Sequence, residues 1–369
     1  MKPFSLLPLA LAAALPAQAA SFHTGDLVVY RVGTGNAALS NAATAVYLDE
    51  FNAQGQLIQS LALPTLGTTE QARLTASGTA TSEGLLTRSA DGHSLVLTGY
   101  DAALGTTSVA ASTSASVRRV VGVVDANGQI DTSTSFNNIL SGNNIRSAIS
   151  NDGKQLWISG ASGGVYSSQL GSHSATLVSS TLTNTRQLEI FDQQLYVSTG
   201  SGTSVRIGSV GSGLPTSAGQ TITKLPGLPS NSGSPYAFFM ADLDANVAGL
   251  DTLYFADDSA GLKKYSLVNG SWTARGSLAA SGLTGLAAQV DAQGQVQLFA
   301  SSASKIYSFT DLSGSGSLSG SLTVLASAAS NTAFRGLAFA PTPAVPEPQS
   351  LALMLSGLLA VSALVRRRR

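Results

Sequence analysis

The sequence of 369 residues contains no cysteine. This absence excludes disulfide bonds, thiolate zinc sites and cysteine nucleophiles, so packing alone must hold the fold together. Charged residues are also scarce, at 11%, whereas about 25% is usual for soluble domains. The only histidines are His23, His93 and His173, and they stand in unrelated contexts. We expect them to be exposed loop residues and not a triad or a metal site.

Amphipathic helices are missing from the body of the chain as well. Between residues 21 and 341, no stretch keeps an apolar period of 3.6 over eleven residues. Short runs of β-branched and aromatic residues are instead broken every eight to twelve positions by Gly, Asn, Asp and Ser, which is typical of strands and turns. The sequence therefore predicts an all-β chain.

One phrase recurs along this β region. It consists of a strand, a turn with Asp-Gly or similar residues, a Leu-aromatic-aliphatic strand and a Gly/Ser turn. Six openings of the phrase, near positions 88, 146, 186, 236, 283 and 334, lie 40 to 58 residues apart. This spacing is within the range of four-stranded propeller blades.

The numbers of strands at the two ends of the β region indicate how a propeller ring would close. The sixth opening, residues 334–341, has no room for further strands, and residues 27–64 supply three strands without an opening. Pairing these strands completes one blade from both termini, so we predict a six-bladed β-propeller over residues 20–341. Seven blades are the alternative, with the extra blade hidden in residues 101–144. The repeats resemble those of NHL and gluconolactonase-type propellers, which implies a likeness of fold only.

Residues 1–19 have the features of a signal peptide. Lys2 precedes an apolar stretch of mostly Leu and Ala, and Ala17-Gln18-Ala19 fits the small-x-small pattern for cleavage after Ala19. Without this peptide and the tail described next, the chain keeps 15 Lys and Arg against 19 Asp and Glu, a net charge near −4. Nucleic acid is therefore not an expected partner.

The end of the chain places three elements in a fixed order. Residues 342–348 form a Pro-rich linker, residues 349–369 contain a short apolar helix, and four arginines follow it. Such a helix stops in a bilayer with its basic end in the cytoplasm. Its apolar run, 351–365, would span about 22 Å of a roughly 30 Å hydrocarbon core. The sorting elements are Val345, Pro346, Glu347, Pro348, Arg366, Arg367, Arg368 and Arg369.

This tail resembles the PEP-CTERM sorting signal of exopolysaccharide-producing Gram-negative bacteria. The resemblance implies recognition by an exosortase-type membrane protease, cleavage near the Pro-Glu-Pro box, and delivery to the cell surface or extracellular matrix. Before processing, the transmembrane helix would hold the protein in the membrane. An ordinary C-terminal anchor with a Pro-rich linker is the alternative.

One acidic loop is a weak candidate for Ca²⁺. Asp242, Asp244, Asn246 and Asp251 offer oxygen ligands at near-alternate positions, as a hard cation requires. The spacing resembles the calcium loops of FG-GAP repeats, although no Gly follows in the loop core and Asp251 comes one residue late. Turn-forming Asp and Asn without a metal are the favoured alternative. No other cofactor is expected.

Four of the six openings carry an arginine. The first strand of a propeller blade is the innermost, so equivalent positions converge around the axis. One interpretation is a candidate anion-binding channel mouth that captures a group such as a uronate carboxylate. The favoured alternative is that each arginine pairs with a loop Asp or a backbone carbonyl and joins neighbouring blades. The residues are Arg88, Arg146, Arg186 and Arg335.

No catalytic constellation stands out in the sequence. The leading hypothesis is therefore a non-enzymatic binding or structural protein of the cell surface or matrix, associated with exopolysaccharide and with acidic polysaccharide as its ligand. The alternative is a secreted polysaccharide-active enzyme, a lyase, glycosidase or lactonase, that acts at the propeller mouth. Its acid/base candidates would be Asp242, Asp244, Asp257 and Asp258.

Overall fold

The computed structural model describes residues 20–200, 205–230 and 233–344. Within these ranges the chain is all-β, with 25 strands and one short 3-10 helix, Val109–Ala111. No helix in the described ranges is long and apolar enough to cross a bilayer. The predicted signal peptide, sorting box, C-terminal helix and arginine cluster lie outside the described residues.

The largest sheet takes strands from both ends of the chain. Its nine strands are β1 (Leu27–Val32), β2 (Ala43–Phe51), β3 (Leu57–Ala62), β4 (Thr75–Ser77), β5 (Thr87–Arg88), β6 (Ser94–Tyr100), β7 (Arg119–Asp125), β8 (Ile130–Phe136) and β25 (Ala333–Phe339). The order is β25-β1-β2-β4-β6-β7-β8, with β3 paired to β2 and β5 to β6. Residues 101–144, where a seventh blade was the alternative, contribute β7 and β8 to this sheet, and the 3-10 helix.

Each of the other four sheets has four strands in sequence order. The first contains β9 (Ile145–Ser150), β10 (Gln155–Gly160), β11 (Val165–Gln169) and β12 (Thr176–Ser179), and the second β13 (Thr185–Phe191), β14 (Gln194–Thr199), β15 (Ile207–Val210) and β16 (Ile222–Lys224). The third contains β17 (Pro235–Ala241), β18 (Thr252–Asp257), β19 (Gly261–Val268) and β20 (Ser271–Leu278), and the fourth β21 (Gly285–Val290), β22 (Val296–Ser301), β23 (Lys305–Asp311) and β24 (Thr323–Ser327).

The inner strands form a closed cycle of contacts. β5 contacts β9, and the cycle continues through β13, β17, β21 and β25 back to β5. The backbone N–H of Leu85 donates to the carbonyl of Arg146 (3.1 Å), and that of Gly336 donates to the carbonyl of Gly84 (2.9 Å). Neighbouring inner strands therefore run in the same direction around a central axis, which is a propeller-like arrangement.

Strands from the two ends of the described chain pair with each other. β1 pairs antiparallel with β25, with Leu27 opposite Phe339 and Val32 opposite Ala333. β1 then pairs with β2, and β2 with β3. This confirms the prediction that N-terminal strands complete the sheet of the last repeat, so β25 has no free edge there.

The hydrophobic core of the described residues consists of six clusters, each bridging neighbouring sheets or parts of the largest sheet. In one of them, Trp157 of β10 packs with Leu188 and Val197 of the next sheet. Its indole N–H donates to the carbonyl of Pro215 at 2.7 Å, so this buried polar group is satisfied. The large aromatic residues of the repeats thus fix the spacing between sheets.

Candidate functional site

Three of the four predicted arginines lie at one end of the ring of inner strands. Arg146 and Arg186 are close enough for the charge of Arg186 to lower the pKa of Arg146. The guanidinium of Arg186 covers the ring of Tyr236, and Tyr236 and Arg335 line the same cavity. The structure therefore brings Arg146, Arg186 and Arg335 to one end of the ring.

Arg88 lies at the other end of the ring. The backbone hydrogen bonds place Gly84, and not Arg88, level with Arg146 and Arg335. Arg88 follows Gly84 by four residues of extended chain, so it lies roughly 13 Å further along the strand. Arg88 lines a separate cavity that shares no lining residue with the one beside Arg335. The prediction that all four arginines converge is therefore wrong for Arg88. The level of a residue along the ring axis is set by the register between neighbouring inner strands and not by its position in the repeat.

Arg146 and Arg186 each bridge to the start of the next inner strand. Nη1 of Arg146 donates to Oδ1 of Asn184 (2.6 Å) and to the carbonyl of Thr185 (3.0 Å). Nη1 of Arg186 donates to Oγ of Ser234 at 2.7 Å. Among the described residues, no carboxylate lies within 4.0 Å of either guanidinium. Arg146 and Arg186 thus join neighbouring blades, as in the structural alternative, but they do so through amide, hydroxyl and carbonyl oxygens and not through carboxylates.

These cations are incompletely compensated. Burial, followed by the charge of Arg186, lowers the pKa of Arg146 to about 10. Burial also lowers the pKa of Arg186 and of Arg335. The Nε atoms of all three are buried and lack a hydrogen-bond partner within the described ranges. Crowded cations with unsatisfied donors favour an anion nearby.

The cavity beside Arg335, here called the polar pocket, has a volume of about 290 Å³. Arg335 is only 2% exposed. Its Nη2 donates to the carbonyl of Gly78 (3.0 Å) and its Nη1 to the carbonyl of Phe334 (3.1 Å). Arg335 and Asp258 are the charged residues of the lining. The hydroxyl groups of the lining come from Thr81, Tyr236, Ser281, Thr284, Ser302 and Ser304.

A buried acid that the sequence analysis did not single out lies near this end. Glu83 accepts hydrogen bonds from the hydroxyl of Tyr100 (2.8 Å), from Nδ2 of Asn144 (3.1 Å) and from the N–H of Ser77 (2.6 Å). Burial raises the pKa of Glu83 to about 7, although these donors and the charge of Arg335 oppose the shift. Glu83 lies outside the repeat phrase, so the repeat could not reveal it.

The four predicted acid/base candidates do not form one site. Asp257 and Asp258 stand at the end of β18, whereas Asp242 and Asp244 follow β17 at the opposite end of that strand pair. A six-residue strand, roughly 20 Å, separates the two pairs. Asp257 is also engaged, since Oδ2 lies 3.2 Å from Nζ of Lys263. Among the lining residues of the polar pocket, Asp258 is the single carboxylate.

The predicted calcium loop is held by its own hydrogen bonds. Asp251 is 1% exposed, and its carboxylate accepts the N–H groups of Leu243 (3.1 Å) and Asp244 (2.6 Å). Asp244 in turn accepts both the N–H (3.1 Å) and Nδ2 (3.0 Å) of Asn246, while Asp242 is exposed. These bonds match the turn alternative, and the calcium site stays a prediction.

A different group of ligand-type side chains does converge. Ligand atoms of His23, Asp26 and Glu50 lie within 4.8 Å of one another. Burial, followed by the charge of Glu50, raises the pKa of Asp26. Glu50 also accepts Nε2 of Gln59 at 2.6 Å. One imidazole and two carboxylates are ligands that a divalent transition metal accepts. Sequence spacing did not predict this group because strand pairing brings its members together.

The fold and the pocket define an all-β protein of propeller-like organisation with a polar pocket at one end of its ring. No family model and no curated protein matches the chain. Similar solved structures include a periplasmic gluconolactonase of Pseudomonas aeruginosa, at 12% identity, a TM-score of 0.44 and 82% of each chain covered. A presumed 6-phosphogluconolactonase of Bacteroides uniformis has 12% identity and a TM-score of 0.43, with 83% of each chain covered. At these scores neither activity is carried over to this chain.

Proposed function

We propose that this chain is an exported six-bladed β-propeller that binds a carboxylated sugar unit of an extracellular polysaccharide in the polar pocket. Six inner strands in a closed cycle and six core clusters support the blade number. Each blade then has one strand beside the axis, and the blade closed by β1 and β25 joins the two ends of the domain.

One observation carries the ligand class. Arg335 is nearly buried, yet its Nε has no hydrogen-bond partner within the described part of the chain, and it lines a cavity whose other polar groups are mostly hydroxyls. A buried cation with an unused donor favours a carboxylate, and hydroxyl-rich walls suit the hydroxyls of a sugar ring. Arg146 and Arg186, without carboxylate partners, add positive potential at the same end.

Calorimetric titration with glucuronate and with glucose tests this proposal, because the two sugars differ at one carboxylate. We expect glucuronate to bind at least about tenfold more tightly. Arg335→Lys, which keeps the charge but loses the planar fork, should remove most of that preference. Arg88→Lys at the other end of the ring is the matched control and should bind like the wild type. Equal affinities for the two sugars would reject the proposed ligand class.

Lactone hydrolysis in the same pocket is the second candidate, and Asp258 favours it. A single carboxylate can take a proton from the water that attacks a lactone carbonyl, while Arg335 stabilises the oxyanion that forms. A glycosidase would need a second carboxylate, and the pocket lining offers only Asp258. Asp258→Asn should abolish acid release from glucono-1,5-lactone in a pH-stat. Wild-type protein that releases acid no faster than buffer would reject this candidate.

Export to the cell surface or matrix is part of the proposal and rests on residues 1–19 and 345–369. An exosortase-type protease would be the processing partner, acting near Pro346-Glu347-Pro348, with the C-terminal helix holding the chain in the membrane until then. We expect the mature protein in the matrix fraction of a producing strain. Replacing Arg366–Arg369 by glutamines should shift it to the periplasm or medium with the tail uncleaved. If the variant is found in the same fractions as the wild type, the arginine cluster is not needed for sorting.

A further inference from the structure

A second cavity, here called the aromatic pocket, occupies the other end of the ring and has a volume of about 370 Å³. Its walls come from five inner strands, and apolar side chains predominate in them. A cavity of this size with apolar walls and a few polar groups is typical of a small-molecule site. The residues that define its chemistry are Arg88, Glu189, Phe191, Phe238, Phe239 and Phe339.

Aromatic rings form a preformed apolar wall in this pocket. The ring of Phe191 on β13 lies 6.0 Å from that of Phe238 and 5.8 Å from that of Phe239, both on β17, measured between ring centroids. Rings at such distances stabilise one another in tilted and edge-on arrangements. The wall is therefore held in place without a ligand, and a flat or extended apolar group can pack against it.

Arg88 supplies the positive charge of the pocket. Its Nε donates to the carbonyl of Gly92 at 3.0 Å, and no carboxylate of the described residues forms an ion pair with it. Oδ1 of the nearby Asp91 accepts hydrogen bonds from the hydroxyl of Ser89 and the N–H of His93, and the charge of Asp91 partly offsets the lowering of the Arg88 pKa by burial. Gly92 has a φ of +78°, and a Cβ there would lie 2.5 Å from Nη2 of Arg88. The absence of a side chain at Gly92 thus leaves room for the guanidinium, and its terminal N–H groups can donate hydrogen bonds to an anion.

Glu189 and Asp91 are the two acids of this pocket's lining. Oε1 of Glu189 accepts Nε2 of Gln187 at 2.8 Å, and no cation of the described residues pairs with it. Burial raises its pKa to about 8, so the carboxyl is mostly protonated at neutral pH. It then acts as a neutral donor and does not repel an anion.

We propose that the aromatic pocket binds a small amphiphilic anion, such as an aromatic or short alkyl carboxylate, with its apolar body against Phe191 and Phe239 and its carboxylate on Arg88. This site is separate from the polar pocket, and it requires neither the sugar ligand nor export.

The test compares 4-phenylbutyrate with 4-phenylbutan-1-ol, which share an apolar body and differ in charge. Calorimetry on the exported protein, purified from producing cells, should show the acid binding about tenfold more tightly than the alcohol. Arg88→Gln should weaken the acid to the level of the alcohol, and Phe239→Ala should weaken both. Tyr236→Phe, in the polar pocket, should change neither. Equal binding of acid and alcohol by the wild type, no binding at millimolar concentration, or no effect of Arg88→Gln would overturn the proposal.

A pH series adds a readout that a purely structural role would not move. The titratable groups of the lining are Arg88, Asp91 and Glu189, since β17, β21 and β25 contribute apolar residues only. Between about pH 6.5 and 9, affinity for 4-phenylbutyrate should fall severalfold as Glu189 loses its proton. Glu189→Gln should bind equally at both pH values. A variant that follows the wild-type profile would contradict the assigned position of the ligand. An unchanged circular dichroism spectrum should accompany each variant.

Discussion

The guanidinium carbon of Arg186 lies 3.7 Å from the ring centroid of Tyr236. Both side chains are largely buried, so the cation–π contact is shielded from water. We expect Tyr236→Leu to lower the free energy of unfolding by about 2 kcal/mol, through loss of the ring face and of packing. Tyr236→Phe keeps the ring and should be nearly neutral, because the hydroxyl makes no hydrogen bond in the described part of the chain. Urea denaturation of the two variants checks this, and equal losses would show that the hydroxyl matters instead.

Closure of the ring depends on a glycine. A Cβ at Gly336 would lie 2.2 Å from the backbone nitrogen of Leu86 and 2.8 Å from Cα of Leu85, and backbone atoms cannot yield as a flexible side chain can. Gly336→Ala should therefore cost about 3 kcal/mol or more by forcing β25 away from β5. Gly67→Ala is the matched control, because its nearest neighbour would lie at 3.5 Å. Similar melting temperatures for the two variants would refute the tight closure.

The stability of the protein should depend on pH through Glu83. The pKa of its carboxyl is 4.5 in the unfolded reference and about 7 in the folded protein. Between these values the native state retains a proton that the unfolded state has released, so stability falls as pH rises and levels off above about 7. Glu83→Gln cannot ionise and should gain about 2–3 kcal/mol relative to the wild type between pH 5 and pH 8. Parallel stability curves for the two proteins would contradict the raised pKa.

A buried ion pair joins the third and fourth four-stranded sheets. Nζ of Lys264 lies 2.7 Å from Oδ2 of Asp311, Lys264 is fully buried, and the hydroxyl of Tyr254 donates to the same oxygen at 2.6 Å. Asp311→Asn should cost about 3–5 kcal/mol, because it leaves the ammonium group without a counter-charge. Adding Lys264→Met should recover much of that loss. A double variant no more stable than Asp311→Asn alone would show that the pair does not carry the effect.

The alternation of strand and turn signals was enough to predict the all-β class and the pairing of the two ends. Strands such as β18 and β22 combine aromatic and aliphatic residues between Gly, Asp and Ser turns, which is a local signal. The pairing of β1 with β25 followed from counting strands, since an incomplete last repeat leaves an edge that must be covered.

The depth of each side chain in the ring could not be predicted. Arg88 and Arg146 occupy the same place in the repeat phrase, yet the bond from Leu85 to Arg146 sets Gly84 at that level. When a strand shifts along its neighbour, its arginine moves from one pocket to the other, although the local sequence pattern stays the same. The raised pKa values of Glu83 and Glu189 likewise arise from burial by strands distant in sequence.

The pairing of Leu27 with Phe339 has a mechanical consequence. Since β25 ends at Phe339, tension on the segment that follows is transmitted to the hydrogen bonds between β25 and β1. Those bonds run perpendicular to the strands, so a pull along β25 loads them together, in shear. The hydrogen bond from the N–H of Thr342 to the carbonyl of Gly92 (2.9 Å) lies between the pulled end and these bonds, so it should break first. A protein held by its C-terminal end in flowing liquid would thus yield at a loop contact before its ring opens.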